Sequence, residues 1–171
     1  KVFIPLEKRT YKIADKIIAV SEDTKEALFS HYNVPKEKIV VIPNGVDLMR
    51  FKRMPQINKI KDSLLFVGRL DKRKGIDFLV KTVPLVKKEI PDIRLFIIGK
   101  GNLREKLEKF AKKNNIQANV LFLGFVSDSK LPLWYNKCQI TIVPSVFEGF
   151  CITIIESLAC GSPVIGTNVD G

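Results

Sequence analysis

Histidine and cysteine are scarce in this chain of 171 residues, and their scarcity removes several kinds of active site. His31 is the single histidine, so the chain offers neither a histidine-based triad nor a histidine-rich metal site. Cys138, Cys151 and Cys160 are odd in number and lack metal-ligand spacing, which argues against a disulfide scaffold and a zinc site. We therefore expect a reducing, cytoplasmic setting.

Long apolar runs are also missing. No run approaches the roughly 20 residues of a membrane-spanning helix, and the apolar run in the opening Lys-Val-Phe-Ile-Pro is too short for a signal peptide. Hydrophobic residues nevertheless make up 46% of the chain, which is typical of a globular protein and not of a disordered one. The length suits one ordinary domain or one and a half small ones.

Acidic residues are outnumbered, 18 against 29 lysines and arginines, so the formal net charge is +11. Such a charge is compatible with nucleic acid, anionic lipid or an anionic substrate as partner. The lysines are spread over predicted helix faces and loops, and aromatic residues do not interleave with them as in RNA-binding modules. We expect a solvated basic surface and no nucleic-acid partner, and we retain peripheral contact with an anionic membrane face as a hypothesis.

Short apolar strands alternate with helices along most of the chain. Strands are predicted at 64–67, 93–98, 120–123, 138–143 and 164–167, and helices at 76–89, 103–113, 128–136 and 152–159. This alternation predicts an α/β fold with a doubly wound parallel sheet.

Two shorter strands and a helix precede that region. The strands are predicted at 16–20 and 39–42, and Ser21 is a suitable N-cap for the helix between them. Residues 43–45, Pro-Asn-Gly, predict a turn because Asn and Gly tolerate left-handed dihedral angles. The polar, non-periodic stretch 52–62 is predicted to connect two domains.

The stretch 144–167 carries the strongest chemical signal. Glu148 follows a strand and precedes a predicted helix that contains Glu156, eight positions later. The carboxyl ends of parallel strands form the ligand-binding edge of such sheets, and helix N-termini there favour phosphate. Because carboxylates only accept hydrogen bonds, two of them beside an anion site indicate a ligand with hydroxyl groups, such as a nucleotide sugar.

Basic residues follow the strand 64–67 in a second candidate anion site. Gly68 allows a close approach of backbone to phosphate, Arg69 offers a planar fork, and Lys74 offers a point charge. A solvated basic turn would explain the lysines alone equally well.

Residues 99–101, Gly-Lys-Gly, lack the remaining parts of a dinucleotide-binding motif, so they predict only a tight turn. In the helix 152–159, we expect Ile152, Ile155 and Ala159 to share the buried face.

Three motifs resemble those of one enzyme family. Glu148-Gly149-Phe150 with Glu156, inside a Pro-Ser…Ala-Cys-Gly-x-Pro-Val-Ile frame, resembles the Glu-x7-Glu motif of retaining glycosyltransferases of family 4, which have the GT-B fold. Gly68-Arg69 with Lys74-Gly75 resembles that family's pyrophosphate-binding pair, and residues 44–47 resemble its crossing between domains. The resemblance implies the end of an N-terminal domain at 1–50, a linker at 51–62, and a Rossmann-like, incomplete donor-binding domain at 63–171.

The resemblance also implies an activity and roles for individual residues. The full-length enzyme would transfer a sugar from a UDP- or GDP-sugar to a sugar or lipid-linked acceptor with retention, in polysaccharide or glycolipid biosynthesis. Arg69 and Lys74 would neutralise the departing diphosphate, with no metal and no other cofactor. Glu148 would position the transferred sugar as the third catalytic residue. The donor-binding residues would be Gly68, Phe125, Val126, Gly149, Phe150, Cys151, Ile152 and Glu156, the last of them on the ribose.

Two departures from the family pattern accompany the resemblance. Cys151 stands where glycine is usual, and the chain stops at residues 170–171 where family members continue, so we expect this fragment to be inactive alone. We expect a cytoplasmic protein that can sit peripherally on the inner membrane face. The alternatives are another GT-B enzyme, such as a nucleotide-sugar epimerase, and a non-enzymatic basic binder of nucleic acid or lipid surfaces.

Overall fold

Two parallel sheets organise the chain, one in each of two units. The computed structural model describes residues 3–169. The N-terminal unit comprises the described residues up to Gly45 together with Phe147–Cys151, and the C-terminal unit comprises Val46–Val146 with Ile152–Val169. Within residues 3–169, no helix has both the length and the apolar character needed to cross a bilayer.

The N-terminal unit contains a short two-stranded sheet. Its elements are α1 (Phe3–Ile13), β1 (Ile17–Ala19), α2 (Glu22–Tyr32) and β2 (Ile39–Val41), and the two strands run parallel. The predicted N-cap is confirmed, because the Ser21 side chain accepts a hydrogen bond from the Thr24 backbone N–H at 3.1 Å. A small apolar core joins the sheet to α2 and consists of Ala19, Leu28, Val34 and Ile39.

The turn predicted at residues 43–45 is wrong. Neither Asn44 nor Gly45 has a positive φ, and residues 42–47 form no turn. The chain turns at residues 48–50, where Asp47 Oδ1 accepts hydrogen bonds from the backbone N–H groups of the second and third residues after it, at 2.9 and 3.3 Å. An aspartate side chain that bonds its own downstream backbone stabilises a turn without left-handed residues.

Residues 51–62, which we predicted as a connection between domains, pack within the C-terminal unit. Phe51 is 2% exposed, and the Met54 backbone N–H donates to Asn136 Oδ1 at 2.7 Å. The two units divide earlier, between residues 45 and 46. Hydrophobic periodicity could not reveal this packing, because much of it consists of hydrogen bonds from an irregular backbone.

The C-terminal unit is built on a five-stranded parallel sheet. Its elements are β3 (Ser63–Val67), α3 (Ile76–Glu89), β4 (Arg94–Ile98), α4 (Arg104–Lys113), β5 (Val120–Gly124), α5 (Leu131–Lys137), β6 (Ile140–Val143), α6 (Ile152–Ala159) and β7 (Val164–Gly166). The strand order is β5-β4-β3-β6-β7. The chain therefore winds outward from β3 in one direction and then returns to its other side, which confirms the predicted doubly wound sheet.

Alternate strand residues face the two sides of this sheet. Phe66 and Ile97 are opposite each other in register and pack with side chains of α3 and α4. Leu65 and Phe96 are the preceding pair and pack with side chains of α5 and with residues at the end of α6. The helices that follow β3 and β6 thus cover opposite faces. Open parallel sheets bind ligands at such a reversal point, beyond the carboxyl ends of the strands.

Helix α6 buries a different face from the one we predicted. Ile152 is 45% exposed, whereas Ser157 is completely buried. The Ser157 hydroxyl donates to Thr141 Oγ1 on β6 at 2.7 Å. A buried pair of hydroxyls therefore joins the helix to the sheet, and an apolar stripe could not have predicted it.

The glycines at 99 and 101 are required by packing and not by the tight turn that we expected at 99–101. Gly99 has a φ of +136°, and a Cβ at this position would lie 1.9 Å from the Gly68 carbonyl oxygen. A Cβ at Gly101 would lie 2.4 Å from the Leu70 carbonyl oxygen. Both glycines therefore let the chain leaving β4 lie directly against the chain leaving β3.

We expect Gly99→Ala to lower the free energy of unfolding by at least about 2 kcal/mol, because the new Cβ clashes with backbone that cannot rotate away. The matched control is Gly45→Ala, since a Cβ at Gly45 meets nothing within 4 Å. Its effect should stay within about 0.5 kcal/mol. Chemical denaturation measures both, and similar values for the two variants would contradict the packing role of Gly99.

Candidate functional site

A groove of about 260 Å³ lies at the carboxyl edge of β3, β4 and β5. Four residues that the sequence analysis selected line it together, namely Gly68, Arg69, Phe125 and Val126. The first two follow β3 and the last two follow β5, so the sheet brings together residues that are distant in sequence. Backbone hydrogen bonds hold this edge, because Gly68 N–H donates to the Ile98 carbonyl at 3.0 Å.

Asp71 organises the basic loop after β3. One of its carboxylate oxygens lies 3.2 Å from Arg69 Nη2, and the other accepts a hydrogen bond from the Lys74 backbone N–H at 3.1 Å. The second bond caps the short 3-10 turn Lys72–Lys74. Asp71 therefore fixes the backbone of the loop and holds the guanidinium of the mostly exposed Arg69 at the groove.

Lys74 lies on the same side of the loop as Gly68. Its side chain is half-buried, and a Cβ added at Gly68 would lie 3.9 Å from Lys74 Cδ. Lys74 thus lies beside Gly68 in the basic loop but does not line the groove, and its role in binding an anion stays a prediction. Positive charge next to accessible backbone suits a phosphate group.

Gly75 lets this loop pack closely against the end of β6. Its φ is +64°, and a Cβ there would lie 1.8 Å from the Pro144 carbonyl oxygen. Close by, the Val146 backbone N–H donates to the Arg73 carbonyl at 2.8 Å. The loops that follow β3 and β6 are therefore in contact at the point where the strand order reverses.

Glu156 lies on α6 and is half-buried. The Tyr135 hydroxyl, on α5, donates a hydrogen bond to Glu156 Oε2 at 2.8 Å. Burial raises the pKa of Glu156, whereas the bond from Tyr135 and the charge of Arg50 act in the opposite direction. Burial and the neighbouring Glu156 raise the pKa of Tyr135 far above its usual value, so the phenol remains a donor.

The loop that carries Glu148 belongs to the N-terminal unit. Glu148 and Cys151 are each 8% exposed, and the Gly149 carbonyl accepts a hydrogen bond from Thr24 Oγ1 at 3.5 Å. Phe150 is half-buried, and Ile152 begins α6. The position of Glu148 relative to the groove stays a prediction.

The sequence analysis missed several residues of the site. Lys100, Asp128 and Leu131 also line the groove, and Lys100 Nζ lies 5.6 Å from the centre of the Phe125 ring. Lys100 could have been found, because it lies two residues after the end of β4 at the same edge. Tyr135 was also missed, because no local pattern shows which carboxylate a buried tyrosine reaches.

No metal site is assembled in the part of the chain that the structure describes: no three His, Cys, Asp or Glu side chains cluster in a way that could hold an ion. That the reaction needs no metal stays a prediction. A doubly wound parallel sheet with a basic groove at the carboxyl edge of its strands, next to the point where the strand order reverses, is typical of nucleotide-binding α/β domains.

Comparison with known protein families narrows the class of nucleotide-binding α/β domains. Residues 50–171 match the family described as glycosyl transferases group 1, and residues 1–50 match the family described as Glycosyltransferase Family 4. The chain belongs to the group 1 glycosyltransferases.

Individual relatives agree with this assignment. An uncharacterised glycosyltransferase of Methanocaldococcus jannaschii is 33% identical over 168 residues, which cover 91% of this chain and 43% of the relative. Sucrose-phosphate synthase from Thermosynechococcus elongatus is 29% identical with a TM-score of 0.84, covering 99% of this chain and 45% of that one. The pneumococcal O-GlcNAc transferase GtfA, solved with UDP and GlcNAc, is 26% identical with a TM-score of 0.84, covering 100% and 33%. The chain therefore has part of a GT-B fold and spans less than half the length of these proteins.

Proposed function

We propose that this chain binds the nucleotide diphosphate sugar donor of a retaining glycosyltransferase of family 4. The observation that carries the proposal is the basic groove at the carboxyl edge of β3, β4 and β5, which Arg69 and Phe125 line together. Membership of the group 1 glycosyltransferases supports it, and so does the UDP bound to the pneumococcal O-GlcNAc transferase. The donor would be a UDP- or GDP-sugar.

Arg69 and Lys74 receive the diphosphate. During transfer, the bond between the anomeric carbon and a diphosphate oxygen breaks, and negative charge grows on the departing group. Two cations that are already in place stabilise this charge without reorganisation. Gly68 lets the phosphates approach the backbone closely. Because the protein supplies both charges, our proposal includes no metal and no other cofactor.

Phe125, Val126 and Glu156 receive the nucleoside. Phe125 is 70% exposed at the groove and offers an aromatic face to a base, and Val126 extends that apolar surface. Glu156 accepts hydrogen bonds from the two ribose hydroxyls, because a carboxylate is a pure acceptor and a diol is a paired donor.

Glu148 receives the transferred sugar. This role and the retention of anomeric configuration rest on the resemblance of Glu148 and Glu156 to the Glu-x7-Glu motif. In our proposal, the backbone of residues 149–152 holds the Glu148 side chain in position. Glu148 and Glu156 would not act as the acid and nucleophile of a glycoside hydrolase. That chemistry places both carboxylates beside one glycosidic bond, whereas here they would contact opposite ends of the donor.

The acceptor would be a sugar or a lipid-linked sugar, as in polysaccharide or glycolipid biosynthesis at the cytoplasmic face of a membrane. The net charge of +11 supports peripheral contact with an anionic leaflet, since basic residues near such a surface are attracted to it.

We expect UDP or GDP to bind in the presence of EDTA, and Arg69→Ala or Lys74→Ala to weaken binding about tenfold or more. Hydrogen bonds to charged groups contribute about 1.5–3 kcal/mol, which corresponds to that loss. The matched control is Arg94→Ala, because Arg94 is an exposed arginine at the opposite end of β4. Calorimetry measures all four proteins, and unchanged affinity in both site variants would remove the diphosphate role.

Removing the Glu148 side chain should weaken binding of the sugar part of the donor and not of the nucleotide diphosphate. Glu148→Ala should weaken a UDP-sugar more than UDP itself, because only the sugar hydroxyls lose an acceptor. Glu105→Ala, an exposed change on α4, serves as the control and should affect neither ligand. Titration of UDP and UDP-glucose compares them. If Glu148→Ala weakened both ligands equally, Glu148 would instead be a structural support of its loop.

A further inference from the structure

We propose that Tyr135 is a positioning residue for Glu156: its hydroxyl holds one carboxylate oxygen so that the other faces the ribose diol of the nucleotide. This inference rests on the proposed function, because it needs a ligand that presents such a diol. It adds a residue to the site that the motifs did not indicate.

The hydrogen bond is held in a rigid frame. Tyr135 is completely buried on α5, and its ring packs against Phe51 with 6.1 Å between the ring centres at an angle of 60°. The phenol oxygen lies 2.8 Å from Glu156 Oε2. The hydroxyl cannot leave Glu156 without repacking the core between α5 and α6, so the position of one carboxylate oxygen is fixed before a ligand arrives.

Within the described part of the chain, Tyr135 is the one direct partner that holds the Glu156 carboxylate. Among residues 3–169 the structure shows no ion pair and no second hydrogen bond for this carboxylate. A glutamate side chain has three rotatable bonds, and immobilising it on binding would cost conformational entropy. The bond from Tyr135 removes much of that freedom in advance, and such preorganisation increases affinity for a ligand.

The same bond favours the ionised form of Glu156, which the ribose requires. The charged and titratable groups that face this carboxylate are Tyr135, Arg50, Asp128 and Cys160. Burial raises the pKa of Glu156, and the donated hydrogen bond opposes that rise. Burial also raises the pKa of Cys160 to about 11, so this thiol adds no charge at neutral pH.

A purely structural role is the competing explanation, since the bond also joins α5 to α6. Tyr135→Phe separates the two roles because it keeps the ring and its contact with Phe51 and removes only the hydroxyl. A structural bond would affect stability, or all ligands alike. A positioning bond affects the ligand that carries the diol.

The experiment compares UDP with 2′,3′-dideoxy-UDP by calorimetry. The wild-type protein should bind UDP more tightly than dideoxy-UDP. Tyr135→Phe should weaken the binding of UDP about five- to tenfold while changing the binding of dideoxy-UDP less than about twofold. Glu156→Gln should abolish the preference, and adding Tyr135→Phe to it should cause little further loss, because the tyrosine acts through the glutamate. Tyr32→Phe is the matched control, since it removes a hydroxyl that donates to Glu7 at 3.1 Å in the N-terminal unit.

A measurement without ligand completes the test. Carboxyl carbon NMR should show a higher Glu156 pKa in Tyr135→Phe, because a donor to the charged form has been removed. An unchanged Glu156 pKa, or equal losses for UDP and dideoxy-UDP in Tyr135→Phe, would overturn the inference and leave the proposed function standing. If the unchanged protein bound the two ligands equally, the ribose assignment of Glu156 would fail, and the inference would fail with it.

Discussion

Close packing of the backbone at the carboxyl edge of the central sheet determines where the functional side chains lie. Gly68 N–H donates to the Ile98 carbonyl at 3.0 Å, and Gly99 N–H donates to the Gly124 carbonyl at 2.8 Å. The chains leaving β3, β4 and β5 therefore run side by side, which a Cβ at Gly99 would prevent. Arg69 and Phe125 line one groove as a consequence, although they lie on different loops.

Charge is divided between the two parts of the proposed site. The loop after β3 provides Arg69 and Lys74. Asp71 forms an ion pair with Arg69 but leaves its side chain mostly exposed. On α6, Glu156 accepts a hydrogen bond from a neutral donor, Tyr135 of α5. A cation in direct contact would satisfy that carboxylate and compete with a hydroxyl ligand, whereas a neutral phenol leaves most of its charge available. In the proposed function, the first part binds phosphate and the second binds a diol.

The sequence predicted what depends on local pattern and on the general behaviour of parallel sheets. The bounds of α3 and α6 were correct, and Gly68, Arg69, Phe125 and Val126 could be grouped because carboxyl ends of parallel strands share one edge. It did not predict the Asp47 turn, the buried Ser157 hydroxyl or the bond between Tyr135 and Glu156. These last features depend on particular polar contacts, which periodicity does not encode.

The central claim is that a nucleotide diphosphate binds in the groove at the carboxyl edge of β3, β4 and β5. Mapping of backbone amide NMR shifts on addition of UDP tests it most directly. We predict the largest changes at Gly68, Arg69 and Phe125, and none at Ser63 and Arg94, which begin β3 and β4 at the opposite edge. Shifts confined to the opposite edge, or to the N-terminal unit, would contradict the account.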